Sequence, residues 1–213
     1  MRRSPYSVLL AGGVLFVLLA VFATALGEGP TFQIPEGLPV LKAPILAVTC
    51  GQASGALMVR LLCEDSTVGL ACEEGDSEGH LFTVDELTTK CAVQTACYGV
   101  LFVTTGTSLK GMGAAGIDVD SEVARCTALI AKAKELGIFV IVGQIEGPNR
   151  RTDETDEKSI TSMSPLADLL ITRSDVNGDG YFTQLAEEKK IPQIFINETL
   201  DLKALLPLLF QVK

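Results

Sequence analysis

Apolar residues in this chain gather in short unbroken runs, and the segments between them are amphipathic or polar. PILAVT (44–49), YGVLFVTTG (98–106), IFVIVGQI (138–145), LADLLIT (166–172) and PQIFIN (192–197) lack the period-two alternation of a half-exposed strand, so each reads as a strand buried on both faces. Between the second and third runs, DSEVARCTALIAKAKELG (120–137) carries a helical apolar stripe, with Asp120 or Ser121 available as N-cap and Gly137 as the stop. Shorter helices are expected at 56–62, 153–164, 181–190 and 200–211, the last broken or kinked at Pro207.

Buried strands that alternate with helices require right-handed parallel crossovers. The expected fold is therefore a three-layer α/β sandwich around a five-stranded parallel sheet, flavodoxin-like or more broadly Rossmann-like, with 2-1-3-4-5 as the commonest strand order. Residues 64–97 break the alternation. Acidic, glycine-containing and cysteine-bearing, they read as an insertion between the first helix and the second strand, with a short helix beginning at TVDEL (83–87). One domain is expected over 44–213, preceded by an extended Gly- and Pro-rich leader over 26–43.

The first 25 residues have the make-up of an export signal: two arginines, an apolar run from about Val8 to Val21, and Ala23-Thr24-Ala25 as a small-x-small cleavage site. The alternative is an uncleaved anchor over residues 7–26, and only in that form would the protein be held at a membrane. Either way a periplasmic or extracellular location is expected. The net charge of −9 becomes two units more negative once Arg2 and Arg3 are removed. Such a surface excludes nucleic acid as a partner, because phosphates need clustered Lys and Arg. A small molecule or another exported protein remains.

Six cysteines, Cys50, Cys63, Cys72, Cys91, Cys97 and Cys126, include no CxxC pair, and in an exported chain an even number points to disulfides. Four lie between 63 and 97, where two bridges have three possible pairings. Cys126 shares a helical face with Val119, Val123, Ile130 and Ala133 and reads as core. Cys50, beside Gly51, reads as buried or bridged.

Ligands of open parallel sheets bind at the carboxyl ends of the strands, and the unusual stretches of this chain fall there. Gly51 and Gln52 follow the first strand. After the second, TGTSLKGMGAAGIDVD (105–120) contains Gly111-Met112-Gly113-Ala114-Ala115-Gly116, a literal GxGxxG that lies too far past its strand for a dinucleotide fingerprint. It reads as a long mobile loop closing over a ligand, with Lys110, Gly111 and Gly113 against it. Arg150 and Arg151, in the loop after the third strand, are placed to clamp a carboxylate or phosphate, or else to answer Asp153, Glu154 and Asp156.

In SDVNGDGYFT (174–183), Asp175, Asn177, Asp179 and Gly180 match positions one, three, five and six of a calcium loop, but position twelve is Ala186. Two readings stand: a partial calcium or magnesium site, or Asx turns capping the helix from Tyr181. No cofactor is established by these motifs, and no catalytic set is evident. His80 is the only histidine. A cation-assisted hydrolase or phosphoryl-transfer enzyme built on the Asp/Asn loop, and an interaction domain acting through the acidic insertion, are the alternatives to a binding domain.

The stretches LPVLKAPILAVTCGQASGALMV, GTSLKGMGAAGIDVDSEVARCTALIAKAKELGI, RRTDETDEKSITSMSPLADLLIT and NGDGYFTQLAEEKKIP follow one another as they do in a family of exported bacterial α/β proteins known only as a domain of unknown function, which this chain resembles over about residues 38–200. The resemblance implies a secreted, single-domain, flavodoxin-like protein. It implies no activity.

Overall fold

The computed structural model describes residues 30–66, 69–77, 80–93 and 97–211. The expected export signal lies outside the described residues. Six strands form one parallel sheet: β1 (Ile45–Cys50), β2 (Cys72–Glu74), β3 (Val100–Thr105), β4 (Phe139–Gln144), β5 (Leu169–Arg173) and β6 (Gln193–Ile196), in the order β2-β1-β3-β4-β5-β6. The five expected strands are all present within a few residues of their apolar runs. The sixth, β2, comes from the segment read as an insertion.

That segment is part of the fold. β2 pairs with β1 through Ile45 and Cys72, Leu46 and Glu73, and Ala47 and Glu74. After it comes α2 (Val84–Ala92), opened by a capping box between Thr83 and Glu86. With the helix over Gly55–Glu64 that precedes β2, they make the first and second crossovers of the sheet. The apolar-run criterion missed β2 because an edge strand of three half-buried residues, CEE, has no apolar run to show. Removing residues 66–95 would therefore take away the sheet's edge strand and not merely a surface loop.

Successive side chains of β1 enter opposite faces of the sheet. Ile45 and Ala47 join a core with Ala56, Val59 and Cys63 of α1 (Gly55–Glu64) and Leu202, Leu205, Leu206 and Leu209 of α7 (Leu202–Leu209). Leu46, Val48 and Cys50 join the other core with Leu87 of α2, Cys126, Leu129 and Ile130 of α4 (Val119–Glu135), Met163 of α5 (Glu154–Met163) and Leu185 of α6 (Tyr181–Lys189). This is the three-layer sandwich. α7 runs through Pro207 without the expected break and ends at Leu209. The expected leader is not free of the domain, since Phe32 and Leu38 pack on the first core and the Leu41 amide donates to Leu209 O at 3.1 Å.

One other expectation is corrected. Residues 105–118 do not form a long loop: Leu109–Ala115 is a helix, α3, whose N-cap Ser108 accepts the Gly111 amide and whose C-cap Gly116 is left-handed. The Ser108 amide in turn donates to Gly51 O at 2.7 Å. Gly111 is required for this packing, because a Cβ there would lie 2.5 Å from Gln52 O.

Candidate functional site

The strand order reverses direction at β1: one crossover leaves it outward to β2, and the next chain segment returns to β3 on its other side. A crevice opens at such a point because the two following loops diverge. Here it is a cleft of 510 Å³ between the β1–α1 loop, the β2 end and α3. Gln52, Lys110 and Gly111, three of the residues expected at a ligand site, line it together with Thr49, Ser54, Ser77 and Ser108.

Its floor is unusual in two respects. Gln52 has a left-handed backbone, φ +56°, which a non-glycine residue adopts only where the surroundings enforce it. The enforcement comes from Glu122, whose Oε2 accepts both the Gly51 amide (2.9 Å) and Gln52 Nε2 (3.1 Å). Secondly, Thr49 is 3% exposed, and among the described residues its hydroxyl finds no hydrogen-bond partner. Its backbone groups are satisfied, the amide by Asp76 Oδ2 and the carbonyl by Arg125 Nη2.

A buried ionic network underlies the cleft. Arg125 directs all of its N–H donors inward: Nε to Glu122 Oε1, Nη1 to Asp76 Oδ1 and Phe82 O, and Nη2 to Asp76, Glu122 and Thr49 O, at 2.8 to 3.1 Å. Burial pushes the Asp76 carboxyl up, while Arg125 and the Thr49 and Phe82 amides oppose it. Sequence spacing marks only half of this network, Glu122 and Arg125 being one turn apart. Asp76 reaches them across the sheet edge, which no local pattern encodes.

Beneath α1 lies a second buried acid. Glu146 Oε2 accepts Arg150 Nε at 3.3 Å, whereas Oε1 faces the Ser54 and Gly55 amides without meeting either in hydrogen-bond geometry. Burial holds the Glu146 carboxyl above its ordinary 4.5, with Arg150 acting against it. A raised folded pKa means that this group favours folding most below about 4.5 and loses that contribution as pH rises through the folded value. Glu146→Gln is therefore expected to be the more stable protein near neutral pH, by up to roughly 1 kcal/mol. That advantage should disappear as urea titrations are repeated at falling pH down to the ordinary glutamate range.

The remaining expected site residues do not converge on the cleft. Arg150 donates Nη1 to Thr107 O at 2.8 Å and packs its stem on Gly106, tying the β4 loop to the β3 loop. Arg151, 11% exposed at its side chain, is engaged by Glu157 and Asp179 and stacks over Tyr181 and Phe182. Gly51 lies behind the lining, held by Glu122 and Ser108, and Gly113 faces open space.

Asp175 pairs with Arg173, Asp179 with Arg151, and Asn177 Nδ2 donates to Thr183 Oγ1. Two of these side chains also cap α6: Asn177 Oδ1 accepts the Phe182 amide at 2.9 Å and Asp179 Oδ1 the Tyr181 amide at 3.1 Å. Among the described residues no group of three or more His, Cys, Asp and Glu side chains is arranged to hold a metal ion. Capping accounts for the DVNGDG spacing. Asp179→Ala should cost about 1 kcal/mol, the scale of a lost cap, by the same amount in chelator and in calcium when thermal unfolding is followed in both.

His80 Nδ1 contacts Gly75 O at 2.9 Å and Nε2 contacts Glu86 Oε1 at 2.8 Å. Both partners are acceptors, and the bond to Glu86 pushes the His80 pKa up. The chain's one histidine is thus spent on holding the loop after β2, with no nitrogen left to take a proton from a nucleophile.

Among solved structures, similarity extends to a psychrotrophic esterase, EstA, from Pseudoalteromonas sp. inhibited by monoethylphosphonate, at 15% identity over 78% of this chain and 92% of that one, with a TM-score of 0.34. So slight a likeness has no bearing on chemistry. No curated protein matches the sequence. The model of a domain of unknown function, DUF6305, matches residues 42–210, from just before β1 through α7 and including β2 and α2. The chain belongs to the DUF6305 family.

Proposed function

We propose that this protein binds a small polar ligand bearing an anionic group in the cleft at the switch point of its sheet, and that it acts as a binding domain. The observation that carries this reading is the Thr49 hydroxyl, buried without a partner among the described residues in the floor of a 510 Å³ cleft. An orphaned buried hydroxyl costs about 1–3 kcal/mol, and a ligand group in the cleft relieves that cost. Lys110 on the exposed rim supplies a cation for an anionic group. Glu74, also in the lining and half-buried, supplies acceptors for hydroxyl or amine donors. A hydroxylated carboxylate has this combination. The engagement of His80 on both nitrogens favours binding over hydrolysis by a histidine-activated nucleophile. An exported location agrees with the bridge between Cys91 and Cys97, and among the described residues no helix is long and apolar enough to cross a membrane.

The test is thermal unfolding with gluconate, acetate or inorganic phosphate added. A ligand at 100 times its Kd stabilises by about 2.7 kcal/mol, a rise of roughly 5–10 °C for a chain of this size. The rise is expected with gluconate, less with acetate, and should be lost in Lys110→Ala and reduced in Thr49→Val. No rise with any of the three probes, or an equal rise in Lys110→Ala, would overturn the reading.

A further inference from the structure

Of the six cysteines, Cys91 and Cys97 form a disulfide. The other four are free thiols, three of them fully buried, and they are distributed as two pairs. In the first, Cys63 closes the last turn of α1 and the chain then doubles back, the Leu70 amide donating to Cys63 O at 3.1 Å. Two residues later Cys72 opens β2 and packs on the core that contains Cys63. In the second, Cys126 of α4 points at the end of β1. Its Sγ lies 3.7 Å from Thr49 O, and Cys50, the next residue along β1, is buried in the same core.

We infer that these four residues form two further disulfides, Cys63–Cys72 and Cys50–Cys126, so that the mature protein carries three bridges. The fold thereby selects one of the 15 pairings that six cysteines allow. Each bridge joins elements of the sheet's first half: α1 to β2, β1 to α4, and α2 to the approach to β3. Cys50–Cys126 would lock the strand end below the cleft to the helix that carries Glu122 and Arg125.

The oxidant is a small disulfide of the glutathione class. A protein thiolate attacks one of its sulfurs and expels a glutathione thiolate. The second protein thiol, losing its proton, then displaces the other glutathione. One S–S bond forms for the one broken, and two protein hydrogens end on the two released thiols. Thiol contact and burial push both Cys72 and Cys126 well above the ordinary thiol range, which leaves little thiolate in the folded state. Cys50, Cys63 and Cys126 are also closed to an oxidant once folded, so the bridges form as folding brings each pair together.

The experiment is to refold the reduced full chain in a mixture of reduced and oxidised glutathione, quench it in acid, block residual thiols with iodoacetamide in denaturant, and map the peptides without reduction. The expected result is Cys63 linked to Cys72 and Cys50 to Cys126, with an intact mass lower by two hydrogens for each bridge and a midpoint of thermal unfolding that falls on reduction. Recovery of the four cysteines carrying the blocking group, or joined in other pairs, overturns the inference. Cys72→Ala adds a check that does not disturb the deep core: Cys63 alone should become reactive in that variant, while Cys50–Cys126 persists. Loss of the second bridge there would mean that the pairing is not set by the fold.

Discussion

Arg125→Met is expected to lower the stability of this protein by about 3–5 kcal/mol, the cost of breaking a buried ion network by removing one partner. For a chain of this size that is a fall of roughly 6–20 °C in melting temperature. The side chains of Asp76 and Glu122 are 2% and 1% exposed, and among the described residues Arg125 is the one cation paired with them. Met fills much of the volume of the arginine stem, so the loss would be electrostatic and not a cavity effect. Two carboxylates would then face each other in a low dielectric, and the Thr49 and Phe82 carbonyls would lose their donor.

Replacing the acids as well, in Arg125→Met with Asp76→Leu and Glu122→Leu, should recover only part of the loss. In other proteins a buried triad exchanged for apolar residues is often neutral. Here, however, the acids also accept the Thr49, Phe82 and Gly51 amides. Urea unfolding of the single and triple variants checks this. A fall of under about 1 kcal/mol in the single variant would mean that water takes the place of the guanidinium, and the network could then be discounted as the support of the cleft.

Asp156→Ala should be nearly as damaging, at about 2–4 kcal/mol, the sum expected for two or more buried donors left without an acceptor. Its Oδ1 accepts the Thr107 amide (2.7 Å) and hydroxyl (2.8 Å), and its Oδ2 accepts the Thr152 amide at 2.9 Å and the Thr152 hydroxyl. This one carboxylate therefore joins the loop after β3 to the loop after β4. Asn cannot substitute fully, because its NH₂ would face one of the two backbone amides, so Asp156→Asn should fall between Ala and the native protein. Thr107 is the residue against which Gly51 packs, and loosening it shifts α3 and Lys110. Weaker ligand stabilisation is thus expected along with the lower melting point, measurable as a smaller gluconate shift in Asp156→Asn.

Much of the architecture is legible without coordinates, since it depends on local pattern. PILAVT, GVLFVTT and FVIVGQ could only be strands buried on both faces, and the stripe through Val123, Cys126 and Ile130 could only face a sheet. The same applies to the caps: Asn177 and Asp179 hydrogen-bond within five residues of themselves, so the DVNGDG spacing carried its explanation in the sequence. Lys110, Gln52 and Gly111 were within reach because the carboxyl edge of a parallel sheet follows from strand order in the chain.

Tertiary structure alone decided the rest. CEE carries no apolar signature, and it becomes a strand because the exposed edge of β1 offers it backbone partners. Arg150 and Arg151 are neighbours in sequence, yet one braces Thr107 O and the other is enclosed by Glu157, Asp179 and two rings, because adjacent residues of a tight turn point in different directions. Asp76 and Arg125 meet across 49 positions of chain, and Cys50 and Cys126, farther apart still in sequence, share one core. Short-range hydrogen bonding and hydrophobic period are encoded residue by residue. Which charges and thiols come together is set by the packing of whole elements, and for this protein that packing is what builds the cleft and its support.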